Sequence, residues 1–315
     1  MRRVARAAAA SVPARRGPPA AIRARCPAKI NLGLWVRGRR PDGYHEIDTI
    51  LQTIALEDLL EIAPDASGPG LRLEHAGLRI GGDGPNLVER AWATLVAARP
   101  SLEGRGVRAR LTKRIPVGAG LGGGSSDAAG LLVGANALFD LKLSHGDLES
   151  LAAQLGSDVP FFVRGGTARG TGRGDQVRQI GPLPPTWVVL VTPPFGVSTS
   201  WAYGQLRKKL TGGRDDASIL ATGVAAGDLN ATLDAQFNAF EDVVLPHLPR
   251  IAALKQSFVA AGAWRPLLSG SGSSLYTLAR TEREARSVAA AIAVQDATVR
   301  VVRTRERGVT VAAAP

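Results

Sequence analysis

Cysteine is all but missing from this chain. Cys26 is the only one, which excludes an intramolecular disulfide and any cysteine-based metal cage and fits a reducing compartment. The four histidines, His45, His75, His145 and His247, are scattered without ligand spacing, so a zinc site is not expected. No apolar run approaches the roughly 20 residues that span a bilayer, so no membrane partner is expected. Acid is absent from residues 1–25, where Arg2, Arg3, Arg6, Arg15, Arg16, Arg23 and Arg25 supply seven of the +12 formal net charge. The remaining +5 suits an enzyme with polyanionic ligands as well as it suits a weak nucleic-acid binder. Aromatic residues decide between these. They are 5% of the chain and are not interleaved with a basic stripe, so stacking on single strands has little to work with and nucleic acid is not an expected partner.

Residues 1–25 are rich in Ala, Arg and Pro, which is also the composition of an organelle transit peptide. The same Ala/Arg/Gly bias runs through the whole chain, however. The segment therefore reads as a disordered, removable extension, and the location as cytoplasmic rather than plastid.

What is present is enough for a sizeable core: 315 residues, 45% hydrophobic and 21% charged, long enough for two domains of about 150 residues each. Apolar and polar residues alternate from Ala28 to Val36 and from Ile47 to Leu56 around a Pro41-Asp42-Gly43 turn, the pattern of a strand pair. Asp58 to Ile62, Leu71 to Leu73 and Val107 to Leu111 read as further strands. Asn86 and Ser144 stand as N-caps of helices reaching about Arg99 and Leu155, and Ser125 to Phe139 reads as another helix. Val159 to Val163 reads as a strand and Gly165 to Gly174 as an irregular loop. A second unit opens on the apolar run Trp187 to Val191. Helices are expected there over 201–210, 237–245, 249–261 and 282–293, and a strand over 299–302. Strands and helices mix without a βαβ repeat, so the expected fold class is α+β in two domains, 26–175 and 176–315.

Residues 116 to 126 carry most of the chemistry. Pro116-Val117-Gly118-Ala119-Gly120-Leu121-Gly122-Gly123-Gly124-Ser125-Ser126 places five glycines between a strand and a helix. Glycines let main chain approach a ligand, and the helix start offers unpaired N–H groups and a positive dipole end, which together cradle phosphate. No Gly-Lys-Ser/Thr closes the loop, so it is not the usual P-loop, nor does it sit in a first βαβ unit followed by an acidic ribose anchor. Charge neutralisation must come from elsewhere in the chain or from a metal ion. Asp127, next along, either stabilises the helix terminus or binds metal. Ser125 or Ser126 is placed to reach Mg²⁺ or a phosphate.

With this loop between strand and helix, the chain resembles the GHMP family of small-molecule kinases. The loop matches the family's second motif. Pro27-Ala28-Lys29-Ile30-Asn31-Leu32 matches the first, and Leu268-Ser269-Gly270-Ser271-Gly272-Ser273-Ser274 the third. Arg40-Pro41-Asp42-Gly43-Tyr44-His45, the triple glycine and Gly156-Ser157-Asp158-Val159-Pro160-Phe161-Phe162 point to the branch whose acceptor is 4-diphosphocytidyl-2-C-methyl-D-erythritol. The matches cover the chain from about Cys26 onward. The resemblance implies a two-domain fold with the active site in the cleft between domains, ATP as co-substrate with Mg²⁺, and transfer of the γ-phosphoryl group to the acceptor's tertiary 2-hydroxyl. Monomer and homodimer are both open.

The resemblance also implies roles. Asp158 accepts the proton of the attacking hydroxyl while Lys29 lowers that hydroxyl's pKa and fixes the carboxylate, which suits a reaction that needs positioning and charge neutralisation more than covalent help; the alternatives are a turn or capping aspartate and a solvated strand lysine. Tyr44 stacks on cytosine while His45 bonds its edge. Tyr203 is either a second aromatic wall or a core tyrosine. Asn31 holds a substrate hydroxyl, meets the pyrimidine edge, or merely bonds main chain. The Gly270-Ser271-Gly272 loop closes over the phosphate cleft or is a simple turn. Two rival readings are another GHMP kinase, such as one acting on homoserine or mevalonate, and a nucleotide-binding regulator without catalysis. Tyr44 with His45 argues against the first, and Asp158 with Lys29 against the second.

Overall fold

The structure is a computed structural model that describes residues 20–79, 86–206 and 216–314. Its strands are β1 (Ile22–Arg39), β2 (His45–Pro64), β3 (Gly70–Gly77), β4 (Gly106–Lys113), β5 (Thr167–Thr171), β6 (Gln176–Gln179), β7 (Trp187–Thr192), β8 (Phe237–Asn238), β9 (Leu267–Leu268), β10 (Leu275–Ala279), β11 (Thr298–Arg303) and β12 (Thr310–Ala313). Its α-helices are α1 (Leu87–Ala98), α2 (Gly123–Leu138), α3 (His145–Ala153), α4 (Val159–Arg164), α5 (Thr199–Gln205), α6 (Asp216–Ala225), α7 (Leu229–Asp234), α8 (Glu241–His247), α9 (Pro249–Ala260) and α10 (Glu282–Ala291). The α+β class expected from the mixed order of elements is the one the chain adopts.

Two sheets organise the molecule. The first runs β12-β1-β2-β4-β3, with β5 also on β2, β6 on β5 and β8 on β1; the second runs β11-β7-β10-β9. Helices α1 to α4 cover the first sheet around a core that includes Leu60, Ile62, Leu111, Leu131, Leu132, Phe161 and Phe162. Helix α2 is buried nearly all round and lies close on the sheet, because a side chain at Gly130 would come within 2.4 Å of Cys26 Sγ. The second sheet packs on α8, α9 and α10 through Val189, Val191, Val244, Ile251 and Phe258. The chain ends by sending β12 back to pair with β1.

Several expectations need correction. Residues 22–25, expected in a removable extension, are the first rungs of β1, with Ile22 opposite both Ile62 and Ala313. Ile22 and Ala24 are buried, so their apolar burial outweighs the basic residues beside them; Arg23 and Arg25 pair with Glu61 and Glu57. Asp58 to Ile62 is the continuation of β2 past a register shift at Pro27/Ala28. Val159 to Val163 is helix rather than strand. All five residues are buried, so no periodicity separates the two states, and Pro160 sits at the start of the helix where its missing N–H costs nothing. The expected loop at 165–174 contains β5, because β2 and β6 pair with it on either side. Residues 237–238 form β8 against Gly33 and Leu34, so that helix starts only at Glu241. Helices α6 and α7 have no counterpart in the sequence expectations, and the end of the expected 201–210 helix lies outside the described residues.

Candidate active site

The glycine loop connects β4 to α2. Gly118, Gly120 and Gly122 have φ of 68°, 75° and 69°, a conformation other residues adopt only with strain. At Gly120 space is decisive as well, since a Cβ would stand 1.9 Å from the Ser269 carbonyl oxygen. Protein donors take up four successive loop carbonyls. Val197 N donates to Gly118 O, Ser274 N to Ala119 O, Ser269 Oγ to Gly120 O and Lys29 N to Leu121 O, at 3.0–3.2 Å. These oxygens are thereby turned onto protein and away from an incoming anion. The first intrahelical bond of α2 runs from Ser126 N to Gly122 O, and no side chain caps the helix. The N–H groups of Gly123, Gly124 and Ser125 therefore stand at the positive end of the dipole without helix partners. The helix starts two residues earlier than the sequence suggested. Ser125 lines the cavity, whereas Ser126 is fully buried.

Lys29 and Asn31 are two residues apart on β1 and so share a face. Register shifts at Pro27/Ala28 and Asn31/Gly33 bracket them, irregularities that re-aim side chains beside functional sites. Lys29 Nζ donates to Asn31 Oδ1 at 2.7 Å, and Asn31 Nδ2 to Thr49 Oγ1 at 2.9 Å, so the buried ammonium is held in place. Asp158 stands between α3 and α4, at the N-cap position of α4, yet its carboxylate makes no capping hydrogen bond. It faces Lys29 instead, Oδ2 lying 3.6 Å from Nζ, with 36% of the side chain exposed.

Below the loop lies a buried charge cluster. Lys113 Nζ bonds Asp58 and, at 2.6 Å, Asp127. Asp58 Oδ1 also accepts from the main-chain N–H groups of Arg114 and Ile115, pinning the chain as it enters the glycine loop. One lysine between two buried carboxylates stabilises one of them best. Of the two, Asp58 has the two additional main-chain donors. Burial, with the nearby Asp58 charge, pushes the Asp127 carboxyl up to about 8 against the pull of Lys113. Asp127 is therefore in the second turn of α2, bonded to Lys113, rather than a simple terminus charge.

At the other end of the site, Tyr44 follows a turn in which its N–H donates to Asp42 Oδ1, and 54% of the residue is exposed. The Arg173 guanidinium lies 4.9 Å from its ring centre. The His45 and Tyr203 rings stack at 4.7 Å and 18°, and Tyr203 meets Phe240 edge-on. Burial, with Arg39 adding to it, lowers the His45 pKa from 6.5. The imidazole is thus neutral at pH 7 and can donate from one nitrogen and accept at the other.

One cavity of about 980 Å³ joins these parts. Its walls come from β1, the glycine loop, the Ser157–Asp158 turn, α5 and the Gly270–Ser271 loop. The sequence profiles described as GHMP kinases N terminal domain and GHMP kinases C terminal match residues 86–166 and 220–295. A protein of Pelotomaculum thermopropionicum named 4-diphosphocytidyl-2-C-methyl-D-erythritol kinase is 43% identical over 88% of this chain and 96% of its own. One of Moorella thermoacetica with the same name is 43% identical over 83% of this chain and 91% of its own. The chain belongs to the GHMP kinase family. A crystal structure of 4-(cytidine 5'-diphospho)-2C-methyl-D-erythritol kinase superposes with a TM-score of 0.71 at 35% identity, covering 89% of this chain and 98% of the other. A homoserine kinase from Cytophaga hutchinsonii reaches 0.74 at 19% identity over 94% and 99%, which speaks to the GHMP kinase fold alone.

Of the site residues expected from sequence, only Ser126 lies away from the cavity of this GHMP kinase. Tyr203 reaches it, but one face of its ring is taken by His45. Lys113, Asp58 and Arg173 were missed. A signal existed for two of them: Val107, Ala109, Leu111 and Lys113 fall on one face of β4, and Asp58, Leu60 and Ile62 on one face of β2, so the alternation that marks the core also carries Lys113 and Asp58 inward. Arg173 had no such signal, because its segment reads as an irregular loop.

Proposed function

We propose that this GHMP kinase transfers the γ-phosphoryl group of ATP to the 2-hydroxyl of 4-diphosphocytidyl-2-C-methyl-D-erythritol. The observation that carries the reading is the single cavity in which a phosphate-cradling helix start, the Lys29–Asp158 pair and the Tyr44/His45 end meet. ATP phosphates rest on the loop from Pro116 to Ser125, against the N–H groups at the start of α2. The acceptor hydroxyl lies at Asp158, which takes its proton as the oxygen attacks phosphorus in line. Lys29, oriented by Asn31, lies against the Asp158 carboxylate and offsets charge developing on the transferred group. The exposed ring of Tyr44 stacks on cytosine, and neutral His45, backed by Tyr203, bonds the base edge.

Mg²⁺, when bound, would supply charge neutralisation at the ATP phosphates. Asp127 is engaged by Lys113 and Asp158 by Lys29, so the side chain left to hold such a cation would be the Ser125 hydroxyl, which lines the cavity, with phosphate and water as the other ligands. The relatives are bacterial and Cys26 is a free thiol, so we place the reaction in the cytoplasm.

Tyr44→Ala tests the acceptor assignment. A lost stacking face of about 1 to 3 kcal/mol raises the acceptor KM by about 5- to 150-fold. The ATP KM stays within a few-fold, because the glycine loop is untouched. Steady-state kinetics with each substrate varied in turn gives the answer. Equal damage to both KM values would contradict the placement of cytosine at Tyr44.

A further inference from the structure

We infer that Arg173 is a specificity-determining residue that receives the diphosphate of the acceptor. This rests on the acceptor reading above, and the argument is one of position. The two ends of the acceptor are fixed there at Tyr44/His45, for the base, and at Asp158, for the reacting hydroxyl; the group that joins them chemically is a diphosphate. The turn from β5 to β6 spans the same two points. Arg173 lies over the Tyr44 ring at 4.9 Å, and the neighbouring Gly174 sits so near the Ser157–Asp158 turn that a Cβ there would be 4.0 Å from that of Ser157. Arg173 lines the cavity with Ser157 and Asp158.

The side chain is also held ready. Its Nε and Nη2 both donate to Asp175 Oδ2, at 3.2 and 2.9 Å, and the main-chain N–H of Arg173 donates to Asp175 Oδ1 at 3.2 Å. Asp175 and the more distant Asp42 are the carboxylates that face the guanidinium. Among the described residues, Nη1 has no hydrogen-bond partner. One fixed edge and one open edge let the guanidinium add a charge-assisted bond to phosphate without first being ordered. Arg39, which also lines the cavity, adds a second positive charge at this end.

The test measures binding of cytidine, cytidine monophosphate and cytidine diphosphate to the full chain by calorimetry, together with acceptor kinetics. In the parent chain affinity rises from cytidine to the diphosphate. Arg173→Leu should weaken the diphosphate by about 10- to 100-fold, as expected for a lost hydrogen bond to a charged group, while cytidine changes by less than about three-fold. The acceptor KM should follow the diphosphate, with kcat and the ATP KM nearly unchanged. Arg173→Gln, which keeps polar contact with Asp175, should show the same loss and so answers for a leucine variant that folds poorly. A diphosphate that keeps its full advantage over cytidine in either variant would overturn the inference. So would an equal weakening of all three ligands, which would mean that Arg173 acts only by holding the Tyr44 ring. If the parent chain fails to phosphorylate the cytidyl acceptor, the acceptor reading falls with the inference; if it succeeds while the variants keep the diphosphate advantage, the inference falls alone.

Discussion

Asp158→Asn lowers kcat by about 10²- to 10⁴-fold, the usual contribution of a positioned general base, and leaves the ATP KM within a few-fold. The substitution preserves shape and removes only the proton acceptor. The partner ammonium is buried but also bonded to Asn31, and the carboxylate is 3.6 Å from it and more than a third exposed, so the melting temperature is measured beside turnover to separate folding from chemistry. Lost turnover in a chain that melts normally therefore reports chemistry. Lys29→Ala acts on the same step, so the double variant loses less than the product of the single losses. Turnover within a few-fold of the parent for Asp158→Asn, measured under saturating substrates, would rule out its role as base.

Lys113→Met should produce the largest loss of stability, about 3–5 kcal/mol, because it leaves Asp58 and Asp127 buried without their cation. Against a total of about 5–15 kcal/mol for a folded domain, that is a large share. Urea unfolding measures it, and a loss below about 1 kcal/mol would contradict the role given to the lysine. Asp127→Asn acts differently, since the amide keeps an acceptor for Lys113 and carries no charge. In the parent, Asp127 binds its proton more tightly folded than unfolded, its value being raised from 3.8 to about 8. That contribution is complete below pH 3.8 and is lost as pH rises to about 8. The parent should therefore lose stability relative to Asp127→Asn between about pH 5 and about pH 8. A parallel pH dependence in the two chains would show that Asp127 is ionised throughout.

The parts of the site that were legible in the sequence are those in which chemistry is local. The loop from Pro116 to Ser126 declares itself by glycine spacing, and Lys29 and Asn31 by their alternation on a strand. What the sequence conceals is long-range. Nothing near Asp158 says that its neighbour is Lys29; that pairing requires β1 and the α3–α4 turn to meet across α2. Nothing near His45 says that Tyr203 will cover it. The misread Val159 to Val163 segment shows a second limit: a short run buried on every side has no period, and only Pro160 near its start favoured helix. The β5 segment shows a third, because a strand of threonine, glycine and arginine is made by the partner that pairs with it and not by its own propensity.

The most direct test of the whole account is a coupled assay of ADP release by the purified full-length chain with ATP, Mg²⁺ and one acceptor at a time. The account predicts rapid turnover with 4-diphosphocytidyl-2-C-methyl-D-erythritol. It predicts near silence with free methylerythritol, homoserine and mevalonate, because binding energy from the distant cytidine is what positions the reacting hydroxyl. Faster turnover of homoserine or mevalonate than of the cytidyl compound would contradict it.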